Sequence, residues 1–152
     1  MDLKLVLVAP EIPQNTGAIG RLCVCLDAEL HLVKPLGFSL DESAVKRAGL
    51  DYWHHVDLYV HDDWDSFLQT AEPTRLFFAS TKGSRSYFEV AFEPGDTLVF
   101  GCETAGLPAF YHEQYAEDFI TIPMPGKHSR SLNLANATAI IAYEALRQLS
   151  PT

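Results

Sequence analysis

An α/β domain built on a mostly parallel sheet is the fold this sequence predicts, and three observations predict it. Short apolar runs of strand length alternate with stretches of helical periodicity through the first half of the chain. Some of the strand-like runs are nearly continuous in apolar residues, as strands buried on both faces are. One run, Leu98-Val-Phe100, stops at a glycine and a lone acid in Gly101-Cys-Glu-Thr-Ala-Gly-Leu-Pro108. Strand, glycine, acid, glycine builds a backbone-lined loop at a strand's C-terminal end, where open sheets of this class place their ligands.

The elements follow in order. Leu3, Leu5, Val6, Leu7 and Val8 make a first strand from Leu3 to Val8, ended by Pro10 and Pro13. Ile19, Leu22, Cys23 and Leu26 recur at helical spacing, so Thr16 to Leu26 is expected as a helix. His31 to Val33 is a second strand, closed by Pro35 and Gly37. Asp41 to Ala48 is a helix, with Asp41 or Ser39 as its cap. Val56 to Val60 is a third strand, Asp62 to Thr70 a helix with the acidic first turn that the dipole favours, and Arg75 to Ser80 a fourth strand. A polar loop, Lys82 to Ser86, and a short extended piece near Tyr87 to Val90 lead to a fifth strand at Thr97 to Phe100. Phe119 to Ile122 is the sixth, fenced by Pro123 and Pro125, and a long helix runs from about Ser131 to Gln148. The expectation is a six-stranded sheet flanked by helices, in a single domain over 1–152, with no repeat or linker.

The final helix carries two apolar stripes, Leu132/Ala135/Ala139/Ala142/Leu146 and Leu134/Ala137/Ile141/Ala145. A helix apolar over most of its circumference is buried on more than one side. Either one core surrounds it or a second subunit covers the outer side.

Composition narrows the function classes. The chain has 152 residues, 47% apolar and 20% charged, which fits a folded globular domain. No apolar run is long enough for a membrane span and the N-terminus has no signal-peptide pattern, so a cytoplasmic protein without a membrane partner is expected. Cys23, Cys25 and Cys102 form no C-x-x-C pair, and Cys23 and Cys25 point apart on a helix. The six histidines lack ligand spacing, and His54 and His55 are expected to face apart, so no metal site is expected. There is no P-loop pattern. The net charge of −9 opposes a nucleic-acid partner. Local charge opposes that in turn: Arg21, Lys82, Arg85, Lys127 and Arg130 all lie in or beside glycine-rich loops, and pairing of two chains would double such a patch.

Three segments carry chemistry. In Asn15-Thr-Gly-Ala-Ile-Gly-Arg21, Gly17 and Arg21 share a helix face away from the apolar stripe, which leaves a guanidinium free near a helix start for an anion such as RNA phosphate. A surface arginine and an asparagine cap are the plainer alternative. In the loop from Gly101 to Gly106, the glycines permit close backbone approach to a flat ligand, and Glu103 can hydrogen-bond within the site or offset a cation. A tight turn with a solvated acid is the alternative. In Ile122-Pro-Met-Pro-Gly-Lys-His-Ser-Arg-Ser-Leu-Asn-Leu134, prolines stiffen the strand exit, Ser129 or Ser131 caps the last helix, and Asn133 falls in its first turn. Ile122 and Leu132 would flank a slot for an adenine ring; an ordinary strand–loop–helix is the alternative.

In this order and spacing the three segments resemble the signature motifs of the SpoU/TrmH branch of the SPOUT RNA methyltransferases. Pro10-Glu-Ile-Pro-Gln-Asn-Thr-Gly17 and Arg47-Ala-Gly-Leu-Asp-Tyr52 are similar to the small TrmL type, and the likeness spans essentially the whole chain. It implies an α/β knot, with the C-terminal part tucked into a trefoil knot against the usual rule. It implies S-adenosylmethionine, held by Ala79, Thr81, Gly101, Glu103, Ile122, Ser131 and Leu132, and no metal. Asn15, Arg21, Glu103, Ser131 and Asn133 match the family's functional positions. The implied reaction is 2′-O-methylation of the tRNA wobble nucleotide in the anticodon stem-loop, by a homodimer whose active site is shared. Another tRNA position, ribosomal RNA, or RNA binding without turnover are the other readings.

Overall fold

The structure, a computed structural model, describes residues 1–41 and 43–151. A seven-stranded sheet forms the centre, in the order β3-β2-β1-β6-β4-β7-β5. Its strands are β1 (Leu3–Val8), β2 (Glu29–Val33), β3 (Asp57–His61), β4 (Leu76–Ala79), β5 (Arg85–Ser86), β6 (Asp96–Phe100) and β7 (Phe119–Thr121). Every neighbouring pair is parallel. The helices are α1 (Pro13–Leu26), α2 (Ser43–Gly49), α3 (Trp64–Ala71), α4 (Ala109–Gln114) and α5 (Leu134–Leu149).

Parallel strands need covered faces, and the side chains of β1 and β6 sort accordingly. Leu3, Leu5, Leu7, Leu98 and Phe100 join Ile19 and Cys23 of α1 and Ile141, Ala142 and Ala145 of α5 in one core. Val6, Val8 and Val99 face the other way, onto Trp64 and Phe67 of α3 and Tyr111 of α4. Cys23 is buried and Cys25 exposed, as their spacing requires, and burial pushes the Cys23 thiol up to about 12.

Several boundaries differ from the sequence expectations. The seventh strand, β5, is two residues of a polar loop paired to β7 through Arg85 and Ser86; two residues carry no periodicity to read. Tyr87–Glu89, expected as extended, is a 3-10 turn: Ser86 accepts from the Phe88 amide at 3.1 Å, and Glu89 returns to the Ser86 amide at 3.2 Å. Helix α1 starts at Pro13 rather than Thr16, because proline suits the first helical position where no N–H is needed. Its N-cap is Ile12, so Asn15 is no cap. Asp63 caps α3, accepting from Ser66 N at 2.8 Å. Helix α5 starts at Leu134 and is capped by Asn133, which accepts from Asn136 N at 3.2 Å; neither Ser129 nor Ser131 caps it.

Two short helices, α4 and the 3-10 segment Leu50–His55, were not legible as helices. In the latter, the rings of His54 and His55 lie side by side, centroids 4.1 Å apart, instead of facing apart; a helical turn replaces the extended backbone assumed for them. Glu42, inside the helix expected from Asp41, lies outside the described residues, so α2 is described from Ser43.

Candidate active site

The C-terminal ends of β4, β6 and β7 are adjacent in the sheet, and the loops leaving them wall a cavity of about 770 Å³. Such a volume suits a small-molecule ligand. The last residue of β4, Ala79, and the loop after it, through Thr81 and Lys82, form one wall. It lies directly on β7: the Ser80 amide donates to the Ile120 carbonyl at 3.0 Å, and a Cβ on Gly83 would sit 2.7 Å from the Ile120 backbone.

The loop after β6 contributes Gly101 and Glu103. It folds back on itself through an antiparallel bridge between Cys102 and Gly106, with amide–carbonyl distances of 3.2 and 3.1 Å. Both glycines are required. A Cβ on Gly101 would meet the Gly106 carbonyl carbon at 2.2 Å, and Gly106 has a φ of +69°. The segment after β7 brings Ile122 and then Ser131 and Leu132 to the same cavity. All seven residues expected to hold a cofactor thus line one space. His112 and Glu113 line it too, from α4. They gave no sequence signal, because that helix is only six residues long and irregular in pattern.

Of the residues expected to be functional, four are brought together. Glu103 accepts from the Glu11 and Ile12 amides, both at 2.8 Å, and from Asn15 Nδ2 at 3.2 Å. Asn133 Nδ2 donates to Asn15 Oδ1 at 3.1 Å. Asn15 is 8% exposed, so both ends of its amide are satisfied where water has little access. The three motif segments therefore meet through one hydrogen-bonded chain, Glu103–Asn15–Asn133. Ser131 joins them at the cavity wall. Of the two roles expected for Glu103, hydrogen bonding within the site is the one these contacts display.

Arg21 is not brought in. It is exposed on α1, its guanidinium carbon 5.1 Å from the Tyr52 ring centroid, and it does not line the cavity of its own chain. The guanidinium expected to stand free rests on an aromatic face. The adjoining Trp53 packs so closely on Gly20 that a Cβ there would lie 2.7 Å from the indole. Arg85 also departs from the expected basic rim. It sits with Arg75, Tyr115 and Asp118 around a second cavity.

Comparison with known proteins identifies the family of the chain. Residues 2–143 match the SpoU rRNA Methylase family. A tRNA (cytidine(34)-2'-O)-methyltransferase of Burkholderia ambifaria is 49% identical over 149 residues, covering 95% of this chain and 94% of that protein. The protein of the same name from Escherichia coli K12 is 46% identical over 148 residues, covering 97% and 94%. A solved structure described as giving insight into 2-OH methylation of C/U34 on tRNA superposes with a TM-score of 0.92 at 49% identity, covering 97% of this chain and 95% of that one. The SpoU methyltransferase AviRb of Streptomyces viridochromogenes, solved with the cofactor AdoMet, gives 0.87 at 26% identity, covering 97% of this chain and 60% of that one. With a match over nearly its whole length, and with the glycine-walled cavity at the strand ends, this chain belongs to the SpoU methylase family.

Proposed function

We propose that this protein methylates the ribose 2′-oxygen of the wobble nucleotide of tRNA, using S-adenosylmethionine. The observation that carries the reading is the near-full-length likeness to C34 methyltransferases, combined with one cavity walled by all three expected segments. The cavity fits the cofactor in size and in lining: glycine backbone at Gly101 and Gly106 admits a flat group, and Ile122 and Leu132 offer apolar flanks for a purine. Ala79, Thr81, Glu103 and Ser131 complete the holding set. Bound there, the cofactor supplies an electrophilic sulfonium methyl for in-line transfer. What the chain's own residues contribute is mainly placement.

Arg21 is the residue assigned to the ribose. A guanidinium keeps its proton, so it acts as a fork-shaped donor rather than a base. It pins the neighbouring phosphate and stabilises negative charge developing on the 2′-oxygen, whose proton leaves to phosphate or water. Glu103, Asn15 and Asn133 place the start of the helix that carries Arg21, and Ser131 stands in the cavity wall.

The functional unit is a homodimer in which Arg21 of one subunit serves the cavity of the other. Two features support this. Arg21 is absent from its own cavity, and Ile12, Leu132 and Tyr143 leave apolar surface exposed around α1 and α5. The substrate element is the anticodon stem-loop, and the C-terminal segment is threaded as the family's trefoil knot. Among the described residues no helix is long and apolar enough to cross a membrane, and the assigned compartment is the cytoplasm, where tRNA is processed.

The test is methyl transfer from labelled cofactor to tRNA, with mass mapping of the modified ribose. Modification at position 34 is the expected result. Modification elsewhere in tRNA or in ribosomal RNA would move the substrate assignment. Binding of both partners without transfer would leave an RNA-binding protein. Mixed dimers of two inactive variants, one in Arg21 and one in the cavity, should regain activity; an active monomer would overturn the shared site.

A further inference from the structure

The loop that walls the cavity is held by a carboxylate from outside it. Glu11 lies in the turn before α1, ninety-odd residues from the loop in sequence. Its Oε1 accepts from the Thr104 amide at 3.0 Å and from the Thr104 hydroxyl at 2.7 Å. In return, Glu103 accepts from the amides of Glu11 and Ile12, both at 2.8 Å. Each segment thus offers one carboxylate to the other's backbone. Neighbouring residues, 103 and 104, share the work: one grips, the other is gripped.

We propose that Glu11 is a positioning residue for the cofactor-binding loop, closing a two-way latch in which Glu11 fixes Thr104 while Glu103 fixes the start of α1. The inference rests on the cofactor reading above. The loop between Gly101 and Gly106 has few internal ties. Its bridge joins Cys102 to Gly106, and the tip between them has no partner of its own in the loop apart from that bridge. Thr104 and Gly106 are exposed wall residues of the cavity. An acceptor at position 11 keeps the tip where the wall must stand, and so lowers the ordering cost of binding. The Thr104 hydroxyl, then the Thr104 amide, then Cys102 hold the Glu11 carboxyl below the ordinary carboxylate range, so it is a charged acceptor at neutral pH. Because α1 is held by Glu103, losing Glu11 loosens only one side of the latch.

Calorimetry with S-adenosylhomocysteine on the whole protein reads this directly. Relative to wild type, Glu11→Ala should weaken binding roughly five- to tenfold, the range for loss of a charge-assisted pair at an exposed site. Glu11→Gln should restore affinity to within about twofold, since its carbonyl oxygen can still accept both bonds. Thr104→Ala should fall between them, and the double variant should be no worse than Glu11→Ala, as expected of partners in one interaction. In transfer assays the cofactor KM should rise while kcat at saturating cofactor stays within about twofold, a split that general loss of fold would not give. Equal binding by wild type and Glu11→Ala would overturn the latch, as would a Glu11→Gln variant no better than Glu11→Ala. If wild type itself gives no heat, the cofactor reading fails, and the latch falls with it.

Discussion

Helix α1 presents two residues of different surroundings less than two turns apart. At its start, Asn15 is nearly buried and tied on both sides, to Glu103 after β6 and to Asn133 before α5. Six residues on, roughly 9 Å along the axis, Arg21 stands exposed on Tyr52 with no tie to the cavity. The first turn is fixed by its own chain's pocket. The third is fixed by a surface aromatic and aims elsewhere. One rigid helix therefore links the cavity wall to an exposed cationic point about 9 Å away, as the proposed shared site requires.

The largest effect should come from Arg21. Arg21→Ala is expected to reduce methyl transfer by about 10²–10³-fold while S-adenosylhomocysteine affinity stays within about twofold. Normal turnover, or a comparable loss of cofactor affinity, would erase the distinction between the turns. Glu103→Ala should behave oppositely. It strips the acceptor from three donors at once, so cofactor binding should weaken about tenfold and folding stability fall by about 1–2 kcal/mol in denaturant titration. Smaller again is Tyr52→Ala, expected to lower transfer about threefold through a less ordered guanidinium, with cofactor affinity unchanged.

The smallest concerns pH. Glu11 has its carboxyl lowered from an ordinary 4.5 by Thr104. A lowered folded-state value means the interaction is fully present above that ordinary value and is lost only as pH falls through the lower one. S-adenosylhomocysteine affinity should therefore hold as pH drops from neutrality to about 5. A decline already between pH 7 and 5 would point to another group.

The centre of the sheet was largely legible because strands such as β1 are continuous apolar runs that must be covered on both faces. Leu3–Val8 was read to the residue. The motif loops were legible as well, since three glycine-bearing segments in this order resemble one family's motifs, although each alone also fits a plain turn or helix start. Short elements were not. Arg85–Ser86 pairs only because Ile120 and Thr121 lie beside it, and α4 has too few residues to show a period. The caps misled for a related reason. Ser129, Ser131 and Asn133 are all good capping residues, and only the path of the chain selects Asn133. Tyr52 closes a segment that resembles the family, but its seating beneath Arg21 carries no signal, because thirty-one positions separate them in sequence.

By itself the sequence determined the class of sheet, the succession of its main strands along the chain, and the glycine-bearing loops that wall the cavity. Those properties depend on local periodicity and on conformations that few residues can adopt. Tertiary structure alone decided that Glu103 would serve as an acceptor for the start of α1, that Glu11 would answer it at Thr104, and that Arg21 would be left outside the cavity. These are pairings across long stretches of chain. Hydrogen bonds form wherever folding brings donor and acceptor within about 3 Å, and nothing in the spacing of residues along a chain records that distance.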